Sequence, residues 1–108
     1  MSLEGSIRLR VRKEVVLTVT TAGTPVKIAD YLYGEAVRII NNNAVAVVAI
    51  GRAATVDANS TPEIGTVIYQ NESHIEYGKE SDQVSLFDEI YVDATVNGTV
   101  VTVQYMGK

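Results

Sequence analysis

Ile90-Tyr91-Val92-Asp93-Ala94-Thr95-Val96, then Asn97-Gly98, then Thr99-Val100-Val101-Thr102-Val103-Gln104-Tyr105-Met106 reads as two strands about a two-residue turn. Asn-Gly is the pair that a tight hairpin turn prefers, because both central residues need positive φ. Counting outward from the turn pairs Val96 with Thr99, Ala94 with Val101, Val92 with Val103 and Ile90 with Tyr105 on one face. The other face takes Thr95 with Val100, Asp93 with Thr102 and Tyr91 with Gln104, and is more polar. A slip of one residue would turn the polar set inward, so turn and pattern agree on one register. The expectation is a β-hairpin with one buried face.

At the other end, Ile7, Leu9, Val11, Val15, Leu17 and Val19 are apolar at alternate positions, with Lys13 the break. Arg8, Arg10, Arg12, Thr18 and Thr20 take the opposite parity, the signature of a half-buried strand. Its length exceeds the usual strand, which predicts a break or bulge at Lys13-Glu14. Between the ends, Val26–Ile28, Val37–Ile40, Thr66–Gln70 and Ser73–Tyr77 read as short strands. Ala44–Ile50 is a nearly continuous apolar run closed by Gly51, as expected of a strand covered on both faces. Asn41-Asn42-Asn43 and Ala22-Gly23-Thr24-Pro25 are turns, Asp30–Gly34 a loop with one helical turn, and Arg52–Gly65 a long surface loop with an edge strand at Ala54–Val56. Val84–Asp88 leads into the terminal pair. About eight short strands spaced by roughly ten residues predict an all-β fold, an antiparallel β-sandwich or jelly-roll-like barrel.

Composition points the same way. The chain has 108 residues, enough for one domain with its own core, and 46% are apolar. Val and Ile dominate over Leu, Thr is abundant, Trp is absent and Phe87 is the only Phe. Such β-branched residues fit a pleated surface. Residues 1–6 have the look of an expression-vector remnant or a disordered terminus, and residues 7–108 are expected to form the single β domain. With no Cys there is no disulfide framework and no thiolate chemistry. No stretch approaches the roughly 20 apolar residues of a membrane helix, so no membrane partner is expected. The net charge is −4, yet residues 1–38 carry six Lys/Arg against four Asp/Glu, and residues 39–108 carry three against nine. That acidity argues against a nucleic-acid partner.

Candidate chemistry is sparse. His74 is the single histidine and its parity neighbours are Glu72 and Glu76, which suits a surface imidazole beside carboxylates. Glu72, Glu76, Glu80, Asp82, Asp88, Glu89 and Asp93 contain carboxylates that a glycosidase would need, but solvated loops and strand faces explain them. Asp57, Asn59, Ser60 and Glu63 loosely echo a calcium loop; the spacing misses the EF-hand pattern, and a turn closed by Asp and Asn side chains is expected instead. No catalytic residue, metal site or cofactor is predicted. The charge feature that stands out is Arg8, Arg10, Arg12 and Lys13: three arginines on one strand face, spaced about 7 Å apart at a rise of roughly 3.3 Å per residue. They suit contact with an acidic surface, including that of a neighbouring copy. The plainer alternative is a strand edge guarded against aggregation by charge.

Val37-Arg38-Ile39-Ile40-Asn41-Asn42-Asn43, then Val47-Val48-Ala49-Ile50-Gly51, a polar loop, and Gly65-Thr66-Val67-Ile68-Tyr69 resemble a pattern in small tailed-phage virion proteins. There an I-x-N strand end and a V-x-I-G strand precede a loop, a Gly-led strand and a terminal strand like Thr99–Tyr105. The resemblance covers about residues 35–106 and leaves out the arginine strand. It implies a phage or prophage structural protein, a capsid decoration (cement) protein: small, all-β, homo-oligomeric, without enzymatic activity or cofactor. Such a protein is made in the host cytoplasm, becomes part of the virion, and binds capsid or another virion protein at subunit junctions. Arg8, Arg10 and Arg12 are the expected contacts. The main rival is a carbohydrate- or receptor-binding β-sandwich module of a tail or surface protein, with Tyr31, Tyr33 and Tyr91 as stacking platforms. A small enzyme ranks third.

Overall fold

The computed structural model describes residues 10–28, 36–77 and 90–107. Eight strands carry the fold: β1 (Arg10–Val19), β2 (Val26–Lys27), β3 (Ala36–Asn41), β4 (Val48–Gly51), β5 (Thr66–Ile68), β6 (Glu72–Tyr77), β7 (Tyr91–Ala94) and β8 (Thr99–Gly107). They form two antiparallel four-stranded sheets, in the orders β1-β8-β3-β6 and β2-β7-β4-β5. First pairs with last, second with seventh, third with sixth and fourth with fifth. This nested order is that of a jelly roll, an all-β sandwich as the alternation predicts.

The terminal segment departs from the predicted hairpin. β7 pairs with β2 and β4 in one sheet, whereas β8 pairs with β1 and β3 in the other. The chain between them arches from sheet to sheet. Val92 and Ala94 face Val101, Val103 and Tyr105 across the core instead of lying beside them. An arch and a hairpin place the same parity inward, which is why the apolar pattern serves both. The corner chemistry separates them. Gly98 has φ +76° but Asn97 is not in the positive region, as a two-residue hairpin turn would require. Asn97 Oδ1 instead accepts a hydrogen bond from Ala22 N at 2.8 Å, and Gly98 N donates to Val19 O at 2.8 Å.

The core follows from alternation. Val19, Val37, Ile39, Val101, Val103 and Tyr105 from one sheet meet Ile28, Val48, Ile50, Ile68, Ile90, Val92 and Ala94 from the other or its flanks, with Val15 and Leu17 packed at the margin. Each such Val or Ile contributes about 1.5–3 kcal/mol when fully buried. Of the apolar run at 44–50, expected to be covered on both faces, only the part from Val48 is. Val48 and Ile50 enter this core and Ala49 packs with Val56 and Ala58 of the loop 52–65, whereas Ala44 and Val45 of the run are exposed in the connection before the strand. Its strand begins at Val48 and not at Ala44, because Val47 N is hydrogen-bonded to Thr95 Oγ1 outside any ladder. The edge strand expected at Ala54–Val56 does not form; the loop 52–65 holds one isolated bridge beyond it, Asp57 with Ile64. β1 does carry a bulge, one residue earlier than expected: Val11 aligns with Met106 and Lys13 with Tyr105, leaving Arg12 as the extra residue. Parity switches there, so Val11 is exposed although it continues the apolar row. The expectations for residues 1–6, Asp30–Gly34 and Val84–Asp88 lie outside the described residues.

Gly65 fixes the loop against β4. It has φ +117°, and a Cβ there would lie 2.5 Å from Val56 Cγ2 and 2.6 Å from Ile50 O. Gly98 also has positive φ, but a Cβ would meet nothing within 4 Å. Gly65→Ala is therefore expected to cost about 2–5 kcal/mol in urea unfolding, combining overpacking with backbone strain, whereas Gly98→Ala should cost only about 1–2 kcal/mol. Equal losses would mean that the close approach at Gly65 contributes nothing.

Candidate functional site

The strand order gathers four loops, 20–25, 42–47, 69–71 and 95–98, at one end of the sandwich, and each crosses from one sheet to the other. Chain crossings leave backbone groups without ladder partners, so side chains must satisfy them. Asn41, fully buried at the end of β3, does this for two loops. Its Nδ2 donates to Ala46 O at 2.9 Å, Ile68 O at 3.0 Å and Tyr69 O at 3.1 Å, so its two hydrogens are shared among three carbonyls. Its Oδ1 accepts from Asn43 N at 3.2 Å and Asn43 Nδ2 at 2.7 Å, and that Nδ2 also donates to Val100 O at 2.9 Å. Gln70 Nε2 donates to Val45 O at 2.8 Å, Thr95 N to Val47 O at 3.0 Å, and Ala22 N to Asn97 Oδ1 at 2.8 Å. The four loops are thus tied to one another, a surface organised before any partner arrives.

Asp93 is the second buried tie. It lies on the outer face of β7, fully covered by the loop 52–65. Oδ1 accepts from Gly23 N and Oδ2 from Ala58 N, both at 2.8 Å, with Asn59 Nδ2 at 3.4 Å from Oδ2. A carboxylate out of water is costly unless hydrogen-bonded, and here two backbone N–H groups meet it. Asn59 Nδ2 also donates to Ala94 O at 3.1 Å, and Asn59 N donates to Asp57 Oδ1 at 2.8 Å. The oxygens that loosely echo a calcium loop thus include the predicted Asp/Asn turn, and no group of three metal-ligating side chains is found among the described residues.

The outer surface of the tied end carries no Asp, Glu, Lys or Arg in residues 20–25, 42–47, 69–71 or 95–98, in a chain whose charged share is 20%. Val45 is 73% exposed, Tyr69 51% and Val96 42%. Between the loops 42–47 and 95–98 runs a groove of about 220 Å³ lined by Val45 and Val96. Charge collects elsewhere. Arg10, Arg12 and Lys13 are exposed at the opposite end of β1, an edge strand. The bulge at Arg12 breaks the even spacing expected of the arginines. Arg8, Tyr31 and Tyr33 lie outside the described residues. Tyr91 is half-buried and packs against Ala49, Val56 and Ala58.

Away from the tied end, a cleft of about 150 Å³ opens between the sheets, lined by Ile50, Arg52, Thr66, Glu76 and Ile90 among others. Glu76 Oε1 is 2.9 Å from His74 Nε2, and its Oε2 is 3.5 Å from Arg52. Both partners are about a third exposed, so these contacts are worth at most about 1 kcal/mol each. The parity pairing of His74 with Glu76 was legible in the sequence; Arg52 was not. A histidine–carboxylate pair orients an imidazole but needs a reacting group beside it to act as a base.

Comparison with protein-family models, with curated proteins and with solved structures yields no match in any of the three. Asn41 and Asp93 are the residues whose roles the sequence conceals. Asn41 reads as the first residue of an Asn-rich turn and Asp93 as a polar-face residue of a hairpin; only the crossing of the sheets buries them. Asn41→Asp would aim a carboxylate at three carbonyls and should cost at least about 3 kcal/mol, and Asp93→Asn, which turns an amide toward an N–H donor, about 1–3 kcal/mol. Urea midpoints that fall with unchanged m would register both losses. Wild-type midpoints would show that these ties are dispensable.

Proposed function

We propose that this chain is a virion structural protein of a tailed phage or prophage, a capsid decoration protein that stabilises the head through protein–protein interfaces and performs no reaction. The observation that supports this reading is where the exposed surface is specialised. Arg10, Arg12 and Lys13 are exposed at one end of β1, the edge strand of its sheet among the described residues, on a chain that is acidic over residues 39–108. The buried polar side chains Asn41 and Asp93 are occupied in holding loops. Jelly rolls occur among viral capsid proteins and also among lectins and cupins, so the architecture admits the reading without selecting it.

The mechanism follows from the charges. A basic edge steers the protein toward acidic patches on the head or on a neighbouring copy, and burial of the surrounding surface holds it there. Added interface area at junctions between capsid subunits then resists separation of those subunits. The carbohydrate-binding alternative draws less support, since Tyr91 commits part of its ring to the cluster beneath the loop 52–65.

Heads of the phage or prophage that encodes the chain supply the test. The protein should co-sediment with them, and Arg10→Glu with Arg12→Glu should weaken binding about tenfold at low salt, the scale of lost electrostatic steering. Absence of co-sedimentation, or specific glycan-array hits that Tyr91→Ala abolishes, would replace this reading.

A further inference from the structure

The single Asn-Gly pair of the chain, Asn97-Gly98, is exposed in the arch between β7 and β8. The pair carries its own chemistry. A glycine nitrogen can attack the carboxamide carbon of a preceding asparagine, because glycine has no side chain to hinder the approach. Both residues face solvent, so water is not withheld from them. Hydrogen bonds commit the reacting groups elsewhere. Gly98 N donates to Val19 O at 2.8 Å and to Thr20 O at 3.2 Å, and Asn97 Oδ1 accepts from Ala22 N at 2.8 Å. All three partners lie in one stretch, residues 19–22, where β1 passes into its loop. Nucleophile and electrophile are thus tied down by the same piece of chain.

We propose that Asn97 is a self-modifying site, held dormant by the fold and released when the arch 95–98 lifts from residues 19–22. On release, the Gly98 amide gives its proton to solvent and its nitrogen bonds to Asn97 Cγ. The Cγ–Nδ2 bond breaks, and Nδ2 leaves as ammonia with a proton taken from solvent. One water molecule then opens the five-membered imide at either carbonyl, leaving aspartate or isoaspartate at position 97. No oxidant or cofactor is consumed. Either product places a carboxylate where the four loops carry no charge. Isoaspartate also adds a methylene to the backbone between β7 and β8, beside the first rung of the β1–β8 ladder at Val19 with Thr99. A lengthened arch displaces Gly98 N from Val19 O, so each opening that reacts leaves a permanent mark. The other asparagines precede Asn, Ala, Ser or Glu, whose side chains hinder the same attack. The inference does not depend on the virion reading.

Peptide mass spectrometry of the full chain, incubated in mildly alkaline buffer with and without guanidinium chloride, tests it. Position 97 should convert at least about tenfold more slowly in the folded chain than in the unfolded one, because reaction waits on local opening. Ala22→Pro separates the tie from the reactants. Thr24 N donates to Thr21 O at 3.0 Å, and Gly23 has φ +87° while Ala22 is not in the positive region, a type II turn whose second residue accepts proline. The variant keeps that turn and deletes the N–H that meets Asn97 Oδ1. Conversion in the folded state should rise about three- to tenfold, the scale of one lost hydrogen bond, with the rate in denaturant unchanged. Hydrogen exchange at the wild-type Gly98 amide supplies a second measure that does not depend on the variant's folding. Its protection should match the slowing of conversion to within about threefold, since one opening frees both groups. Equal conversion in folded and unfolded chains, a wild-type rate in the folded variant, an unprotected Gly98 amide, or conversion first at another asparagine overturns the proposal.

Discussion

The amide of Asn41 meets the constraint on which the rest of the structure rests. Four chain crossings converge at one end of the sandwich, and a crossing chain cannot satisfy its carbonyls from a ladder. Asn41 reaches Ala46, Ile68 and Tyr69 from the end of β3, so it bonds the end of one sheet to two connections that lead into and out of the other. Asp93 does the equivalent work with the opposite polarity, accepting from Gly23 and Ala58. Asn41 supplies hydrogens through Nδ2 and also accepts through Oδ1, whereas the Asp93 carboxylate only accepts. With both in place the apolar faces of the two sheets can close over a core of Val, Ile and Tyr105 while the backbone groups that these two side chains reach at the four-loop end are satisfied.

Much of this fold is legible in the sequence because alternation is local. The parity of Val92, Ala94, Val101, Val103 and Tyr105 identifies the buried face correctly, and double cover holds for Val48–Ile50, while Ala44 and Val45 of the same uninterrupted run are exposed in a crossing loop. What alternation cannot supply is which neighbour a strand takes. Inward residues of a hairpin lie side by side, those of an arch lie face to face, and both obey a period of two. The Asn97-Gly98 pair favours the hairpin on turn statistics. Its Asn side chain is drawn instead to Ala22, a residue remote in sequence. A long-range hydrogen bond of that kind leaves no trace in local composition. The same holds for burial of Asp93, which depends on a loop folding over it.

Surface specialisation was legible only in part. The sequence localises basic residues near the start of β1, and the structure sets Arg10 and Arg12 on the edge strand of the described sheet, with a bulge that disrupts their spacing. The uncharged end is assembled from four separate segments, none of which is unusual alone. Their common property emerges once the strand order brings them together. Among the described residues, the four crossing loops at one end carry no Asp, Glu, Lys or Arg, and Arg10, Arg12 and Lys13 stand toward the other end.

The pairing of β1 with β8 has a consequence for how the molecule is made. Its ladder runs from Val19 with Thr99 to Arg10 with Gly107, so the first strand waits for the last before either is hydrogen-bonded along its length. β3 depends on β8 as well. On the ribosome, no part of that sheet beyond β3 with β6 can zip up until β8 has emerged. A chain dominated by such distant contacts belongs among the slower folders, on the millisecond-to-second scale. During that interval the edges of β1 and β3 are open to other chains, and arginines at the head of β1 are well placed to keep nascent copies apart.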